Sequence, residues 1–459
     1  MAIKTLHLTN AYHPTSGGIR TFYRALLSRA NNERRLMRLV VPGEKDDVEE
    51  VGEFGRIYFV AAPKAPAFDR RYRMLLPSHY LRASTRLQMI LAREQADLIE
   101  VCDKYSLFYL AALLRKGLVA GVKRPVLIGL SCERMDDNVA AYFGAGGAGR
   151  ALSRCYIRHL YGPPFDAHIA NSEYTAEELR HSLWDRVPGF VRVCPMGVES
   201  SAFGPVHRDP ALRRRLLEDA GGDRDSVLLL YAGRLSPEKN PGLLIDTLEI
   251  LSRPRRPGRL VDRDYRLVLV GDGPSAQGLL DDARRRVGSR LNWIGAIRDR
   301  AELARLYASA DLFVHPNPRE PFGIGPLEAM ASRVPVVAPS AGGVLSYATS
   351  HNAWLAAPDA RSFAFAIRSA IAVPDQGKLA AAFETARAFD WQSVAARYFR
   401  LYDELHRVNL DPSTSLRASK FAMPITVGHT VVTDLGHSAL QPFGRLRATP
   451  GGVEGQESR

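Results

Sequence analysis

The chain has 459 residues, 46% of them hydrophobic, a formal net charge of +13 and four cysteines. That length holds two or three domains, and the hydrophobic share supplies a large core, which argues against wholesale disorder. Cys102, Cys132, Cys155 and Cys194 form no C-x-x-C pair, which points to a reducing compartment and away from a zinc site. The basic excess admits nucleic acid, an anionic membrane face or phosphorylated small molecules as partners.

The N-terminal stretch "MAIKTLHLTNAYHP" carries no long apolar segment and reads as a first strand rather than a signal peptide. A helix follows from Gly18, with Ile19, Phe22, Leu26 and Ala30 at helical spacing. Strand-like runs then recur as "RLVVPG", "RIYFVAA", "DLIEVCD", "PVLIGLS" and "DAHIANS", most of them separated by helical patterns. Between the second and third of these, Phe68 to Arg93 is the longest basic stretch, with Arg70, Arg71, Arg73, Arg82, Arg86 and Arg93. It reads either as a surface for an anionic membrane or as a solvated helix face beside a core stripe. No zinc-finger spacing, aromatic RNA-binding pattern or basic zipper occurs, so nucleic acid is not an expected partner.

Gly204 to Ser226 reads as a charged loop. The alternation then restarts with "SVLLLYAG", "PGLLIDTLEILS", "YRLVLVG", "SAQGLLDDARRRV", "LNWIG", "AELARLYASA", "DLFVHP", "GPLEAMASR" and "VPVVAPS". Two doubly wound α/β domains are expected, residues 1–200 and 201–389, with the ligand in the cleft beyond the carboxyl ends of the strands. From residue 411 the chain is rich in Ser, Thr, Gly and Pro without a sustained period, and reads as a disordered tail.

Three stretches carry the chemistry. In "YAGRLSPEKNPG", Gly233 turns the backbone, and Arg234 and Lys239 stand at a strand's carboxyl end before a helix, which suits a diphosphate. The alternative pairs both cations with Glu238 or water. In "REPFGIGPLEAMASR", Phe322, Gly323, Ile324 and Gly325 approach a helix whose amides can face phosphate oxygens. Glu320 before that turn and Glu328 about one turn inside the helix can accept hydroxyl protons from a sugar and a ribose. As plain structure, they are a loop acid and a charge favoured by the helix dipole. In "YHPTSGGIRTF", Gly17 and Gly18 separate the first strand from the first helix, where a backbone can approach a phosphate.

Together "SGGIRTF", "GRLSPEKN", "VGDGP", Glu320-x7-Glu328 and "FDWQSVAARYFRLY" resemble the retaining glycosyltransferases of family 4, of GT-B fold, over residues 4–405. The resemblance implies a cytoplasmic hexosyltransferase, peripheral to the membrane or not, with a nucleotide-diphosphate sugar in the interdomain cleft. GDP-mannose and UDP-hexoses are the candidate donors; a saccharide, lipid-linked saccharide or polyol is the acceptor. It assigns Arg234 and Lys239 to the diphosphate, Glu320 to the transferred sugar and Glu328 to the ribose. Gly233, Phe322, Gly323 and Ile324 would line the donor, and Gly18 would face the β-phosphate from the other domain. Residues 390–408 would cross back to the first domain, burying Trp391, Val394, Phe399 and Leu401. Many relatives carry a histidine after a first-domain strand; here "GLSCERMDDN" stands instead, which leaves Glu133, Asp136 and Asp103 as acceptor-side candidates. No cofactor is expected, and with no Asp-x-Asp beside the phosphate motifs a metal is not expected either. The alternative is a nicotinamide-dependent oxidoreductase using Gly271 and Gly273, with Ala276 where the third glycine would be.

Overall fold

Strands and helices alternate along a computed structural model that describes residues 2–13, 18–65, 72–82, 84–143, 147–183, 189–253 and 263–410. The first half contributes β1 (Thr5–Thr9), α1 (Gly18–Asn32), β2 (Met37–Gly43), β3 (Asp47–Val51), β4 (Gly55–Ala61), α2 (Arg86–Glu94) and β5 (Leu98–Cys102). It continues with α3 (Phe108–Arg115), β6 (Val126–Ser131), α4 (Met135–Phe143), α5 (Gly147–Tyr156), β7 (Ala167–Ala170), α6 (Glu173–Ser182) and β8 (Val191–Val193). The sheet runs β3-β4-β2-β1-β5-β6-β7-β8, parallel except for the β3–β4 pair.

The second half supplies α7 (Pro210–Asp219), β9 (Val227–Ala232), α8 (Gly242–Ser252), β10 (Tyr265–Val270), α9 (Ala276–Arg286), β11 (Leu291–Trp293) and α10 (Arg300–Ser309). Then come β12 (Leu312–Val314), α11 (Ile324–Ala331), β13 (Val336–Pro339), β14 (Trp354–Ala356), α12 (Ala360–Ala372), α13 (Gln376–Ala388) and α14 (Trp391–Leu410). Its sheet is parallel, in the order β11-β10-β9-β12-β13-β14. Both sheets belong to one compact unit. The order reverses beside β1 in one sheet and beside β9 in the other, and crevices open at such points.

Helices on both faces explain why the strands are buried along their length. Two polar residues inside the first sheet stand out. His7 and Glu100 face each other in the β1–β5 register and are both fully buried. His7 Nδ1 lies 2.9 Å from the Glu100 carboxylate, which also accepts from the Tyr23 hydroxyl at 3.1 Å and from the Tyr402 hydroxyl. Tyr402 belongs to α14, so this network ties the last helix to the first sheet. The Tyr398 hydroxyl donates to the Cys194 carbonyl at 2.7 Å, and Arg35 pairs with Asp403. Trp391, Val394 and Phe399 are buried beneath α14, with Leu401 partly buried. The chain therefore crosses between the lobes twice, and the crossings pair: Val198 N–H donates to the Phe389 carbonyl at 2.9 Å and Trp391 N–H to the Val198 carbonyl at 3.0 Å.

Three expectations need correction. Residues 204–226 are not a loop throughout. Pro210–Asp219 is helical because Asp209 accepts from the Ala211 and Leu212 N–H groups and Pro210 starts the helix, while Leu216 and Leu217 are buried. The first sheet is not wholly parallel, because β3 pairs antiparallel with β4 across a short turn. Nor do the arginines of 68–93 share one helix face: Thr85 caps α2 only at Arg86, and Arg73 is drawn to Glu44 and the Ala62 carbonyl. Arg70, Arg71, Gly17 and the tail from 411 lie outside the described residues.

Candidate active site

The site grows from the two strands that flank the reversal in the second sheet, β9 and β12. After β9 the chain turns at Gly233 and passes Arg234 to a short 3-10 turn, Pro237–Lys239. The loop after β10 lies flat against it. A Cβ on Gly271 would come within 1.8 Å of the Gly233 carbonyl oxygen, and one on Gly273 within 2.1 Å of that of Leu235. These two glycines thus serve the packing of one loop on the other.

Lys239 reaches across to the loop after β12, its Nζ 2.8 Å from both oxygens of Glu320. Asn317 Nδ2 donates to the same carboxylate at 3.0 Å, and His315 Nε2 stands 3.8 Å away. Glu320 is 8% exposed. Burial opposes its ionisation, yet Lys239, His315 and the hydrogen bonds outweigh that and hold its carboxyl at about 2. His315 is pushed down to about 4, chiefly by burial, with Glu320 opposing and Lys239 adding. Sequence reasoning missed His315 and Asn317. Both were visible as polar residues just past the end of a strand.

Gly342 and Gly343 allow the 340–343 segment to sit on this loop, since a Cβ on Gly343 would come 1.9 Å from the Pro321 carbonyl oxygen. Gly323 has φ +85° and its carbonyl accepts from the Tyr347 hydroxyl. Phe322 turns its ring inward, 5.2 Å from Tyr347 and 6.0 Å from Phe389 between ring centroids, so only its backbone can face a donor. Gly325 packs against Tyr307 and Phe313 rather than opening to a ligand.

Among the described residues no side chain caps the N-terminus of α11, which begins at Ile324. Gly18 opens α1 opposite it, where a Cβ would lie 3.5 Å from Ile324 Cδ1. Two helix N-termini, one from each lobe, therefore come close together. Arg234 is exposed, with its guanidinium 5.8 Å from the Tyr72 ring of the other lobe and 3.7 Å from Glu238. Glu328 is buried one turn inside α11, with Arg300 Nη1 2.8 Å away. Arg300, missed in the sequence, lies 28 positions earlier.

On the first lobe the three acidic candidates separate. The Asp103 carboxylate accepts from the Tyr105, Ser106 and Leu107 N–H groups at 3.0, 2.6 and 2.8 Å and from Asn10 at 3.0 Å, so it organises its own loop. Asp136 is 4% exposed and gripped by Arg134 at 2.7 Å. Burial opposes its ionisation, but that pairing keeps its carboxyl below the ordinary range. Glu133 is partly buried; its carboxylate accepts from Asn138 at 2.8 Å, and burial raises its carboxyl. It precedes α4, which packs on the Pro237–Lys239 turn of the other lobe. Among the described residues no group of three or more His, Cys, Asp or Glu is placed to hold a metal ion.

Two Rossmann-like lobes, each with its own parallel or mostly parallel sheet, give the chain the GT-B fold. Residues 213–387 match the family model described as glycosyl transferases group 1. It is 26% identical over 395 residues to the GDP-mannose-dependent alpha-(1-6)-phosphatidylinositol dimannoside mannosyltransferase of Mycobacterium tuberculosis (strain ATCC 25177 / H37Ra), covering 86% of this chain and 94% of that one. The D-inositol 3-phosphate glycosyltransferase of Kineococcus radiotolerans is 33% identical over 257 residues, 52% of this chain and 57% of its own length. The sucrose-phosphate synthase of Thermosynechococcus elongatus shares the fold with a TM-score of 0.68 at 20% identity, covering 88% of this chain and all of that one. HepE of Anabaena, in complex with UDP-glucose, gives 0.60 at 18% identity, covering 88% of this chain and 100% of that one.

Proposed function

We propose that the chain transfers a hexosyl group, mannosyl in the first instance, from a nucleoside diphosphate sugar to a lipid-linked saccharide or polyol, with retention at the anomeric carbon. The observation that carries this reading is the approach of the α1 and α11 N-termini beside Lys239 and Glu320. A diphosphate between the two termini meets amide N–H groups from both lobes and the cations Arg234 and Lys239. Glu320, held ionised by its neighbours, accepts hydroxyl protons of the transferred sugar. As the bond from the anomeric carbon to the phosphate oxygen breaks, the electron pair passes to the diphosphate. Arg234, Lys239 and the helix ends stabilise that charge. The acceptor hydroxyl adds to the same face, and its proton goes to the departing phosphate. Side chains supply the positive charge in this reading, and a divalent ion is not called for.

The mannosyltransferase that matches most of the chain favours GDP-mannose as donor. A membrane-borne acceptor draws support from α5. Arg150 and Arg154 on α5 and Arg158 on the π-helical turn Ile157–Tyr161 that follows it are exposed at four-residue spacing, and Leu152 and Leu160 nearby are exposed at 70% and 49%. Exposed basic and apolar residues side by side suit an anionic lipid surface. Among the described residues no helix is long and apolar enough to cross a membrane.

The test is a thermal-shift screen of GDP, UDP and ADP and their hexoses, followed by transfer assays with the stabilising donor. Stabilisation by a nucleotide sugar, lost in Lys239→Ala, supports the reading; no shift with any of them overturns it. Sedimentation with phosphatidylglycerol vesicles, but not phosphatidylcholine ones, tests the lipid face.

A further inference from the structure

We infer that Arg300 is a positioning residue for the nucleoside end of the donor, aligning Glu328 so that the site distinguishes a ribose from a 2′-deoxyribose. The inference rests on the reading of Glu328 as the ribose acceptor.

Glu328 is 7% exposed and lies one turn into α11. A carboxylate so enclosed needs a partner to hold one orientation. Arg300 is that partner, with Nη1 2.8 Å from Oε1. The guanidinium is itself fixed from two further sides. Nη2 lies 3.4 Å from Glu199, and Cζ sits 4.7 Å from the Phe203 ring centroid. Glu199 adjoins Val198, where the two chain crossings pair. Arg300 also starts α10, whose cap is Asp299 accepting from Ala301 N–H at 3.0 Å. Its origin is therefore anchored as well as its tip. A carboxylate oxygen has two lone pairs, so Oε1 can accept from Arg300 and from a ribose hydroxyl together. Arg300 need not touch the nucleotide to decide whether that hydroxyl is met. Arg300 and Glu328 are 28 residues apart in sequence and come together only through the fold.

The experiment is calorimetric titration of the full chain with GDP and 2′-deoxy-GDP, and with UDP and 2′-deoxy-UDP. Wild-type protein, Arg300→Gln, Arg300→Lys and Glu328→Gln are compared. The ribonucleotide of the better-bound pair is expected to bind about tenfold more tightly to wild type, since a site built for a hydroxyl penalises its loss. Arg300→Gln brings that ratio close to one, and Arg300→Lys restores part of it. With the donor sugar, Arg300→Gln raises KM about tenfold and leaves kcat within about twofold, as loss of uniform binding requires. A general packing defect lowers the melting temperature without selecting between the two sugars. If Arg300→Gln keeps the wild-type ratio while Glu328→Gln loses it, the positioning role is overturned and Glu328 stands. If neither wild type nor Glu328→Gln distinguishes the sugars, the ribose reading of Glu328 falls, and this inference with it.

Discussion

Lys239 and Glu320 meet with Nζ 2.8 Å from each carboxylate oxygen, although 81 residues separate them. They lie on loops that leave the neighbouring strands β9 and β12, so the reversal in strand order is what joins them. Removing one partner strands the other in a largely dry place. Lys239→Ala is expected to lower transfer about a hundredfold and stability by about 1–3 kcal/mol. Lys239→Met combined with Glu320→Gln should lose less stability than the two single changes added together. Urea unfolding and initial rates measure both, and strict additivity would refute the coupling.

His315 ties the same site to pH. Its ordinary value of 6.5 is pushed to about 4 in the fold. Below pH 6.5 the unfolded chain takes up a proton that the folded one refuses, so stability falls as pH drops from 6.5 towards 4. Glu320, lowered from 4.5 to about 2, extends the loss from pH 4.5 to 2. The His315 share is about 3 kcal/mol at most. Melting temperature against pH should flatten between pH 6.5 and 4 in His315→Gln, while the lower part of the slope persists. An unchanged profile would exclude His315 as its source.

Gly343→Ala places a methyl group 1.9 Å from the Pro321 carbonyl oxygen, a backbone atom that cannot swing aside. The loop carrying Glu320 must shift. Activity should fall more than tenfold, while the melting temperature drops by several degrees (about 2 kcal/mol of stability). Wild-type kinetics in Gly343→Ala would show that the loop tolerates displacement.

Tyr402→Phe removes a hydroxyl from the buried Glu100, to which His7 and Tyr23 also turn. A loss of about 1–2 kcal/mol is expected. It should appear as faster hydrogen exchange along α14, ahead of exchange in the second sheet. Uniform acceleration throughout the chain would mean that α14 does not open separately.

Chelation offers a further check. With Arg234 and Lys239 carrying the leaving-group charge, an excess of EDTA should leave the transfer rate within about twofold. Loss of activity, restored by magnesium or manganese, would assign that charge to a metal ion.

Much of this architecture is legible in the chain order. Apolar runs of strand length alternating with 3.6-residue periods announce a doubly wound fold. A glycine turn followed by Arg234 and Lys239, and Glu320 eight residues before Glu328, mark the phosphate and sugar ends. Pattern alone is ambiguous where the same signal has two uses. Asp103 and Asp136 stand near strand ends as site acids do, and in the fold their oxygens meet local N–H groups and Arg134. The glycines of "VGDGP" look like a nucleotide fingerprint, but they admit the neighbouring loop.

By itself the sequence determined most of the elements, because periodicity, caps and turn residues act within a few positions of where they stand. It also determined the stock of charges at the strand ends. Only the tertiary structure decided which charges became partners: Lys239 with Glu320, Arg300 with Glu328 and Glu199, and Tyr402 with Glu100. Such pairings depend on which strands become neighbours and on where the chain recrosses, and burial then makes an otherwise weak contact between distant residues strong.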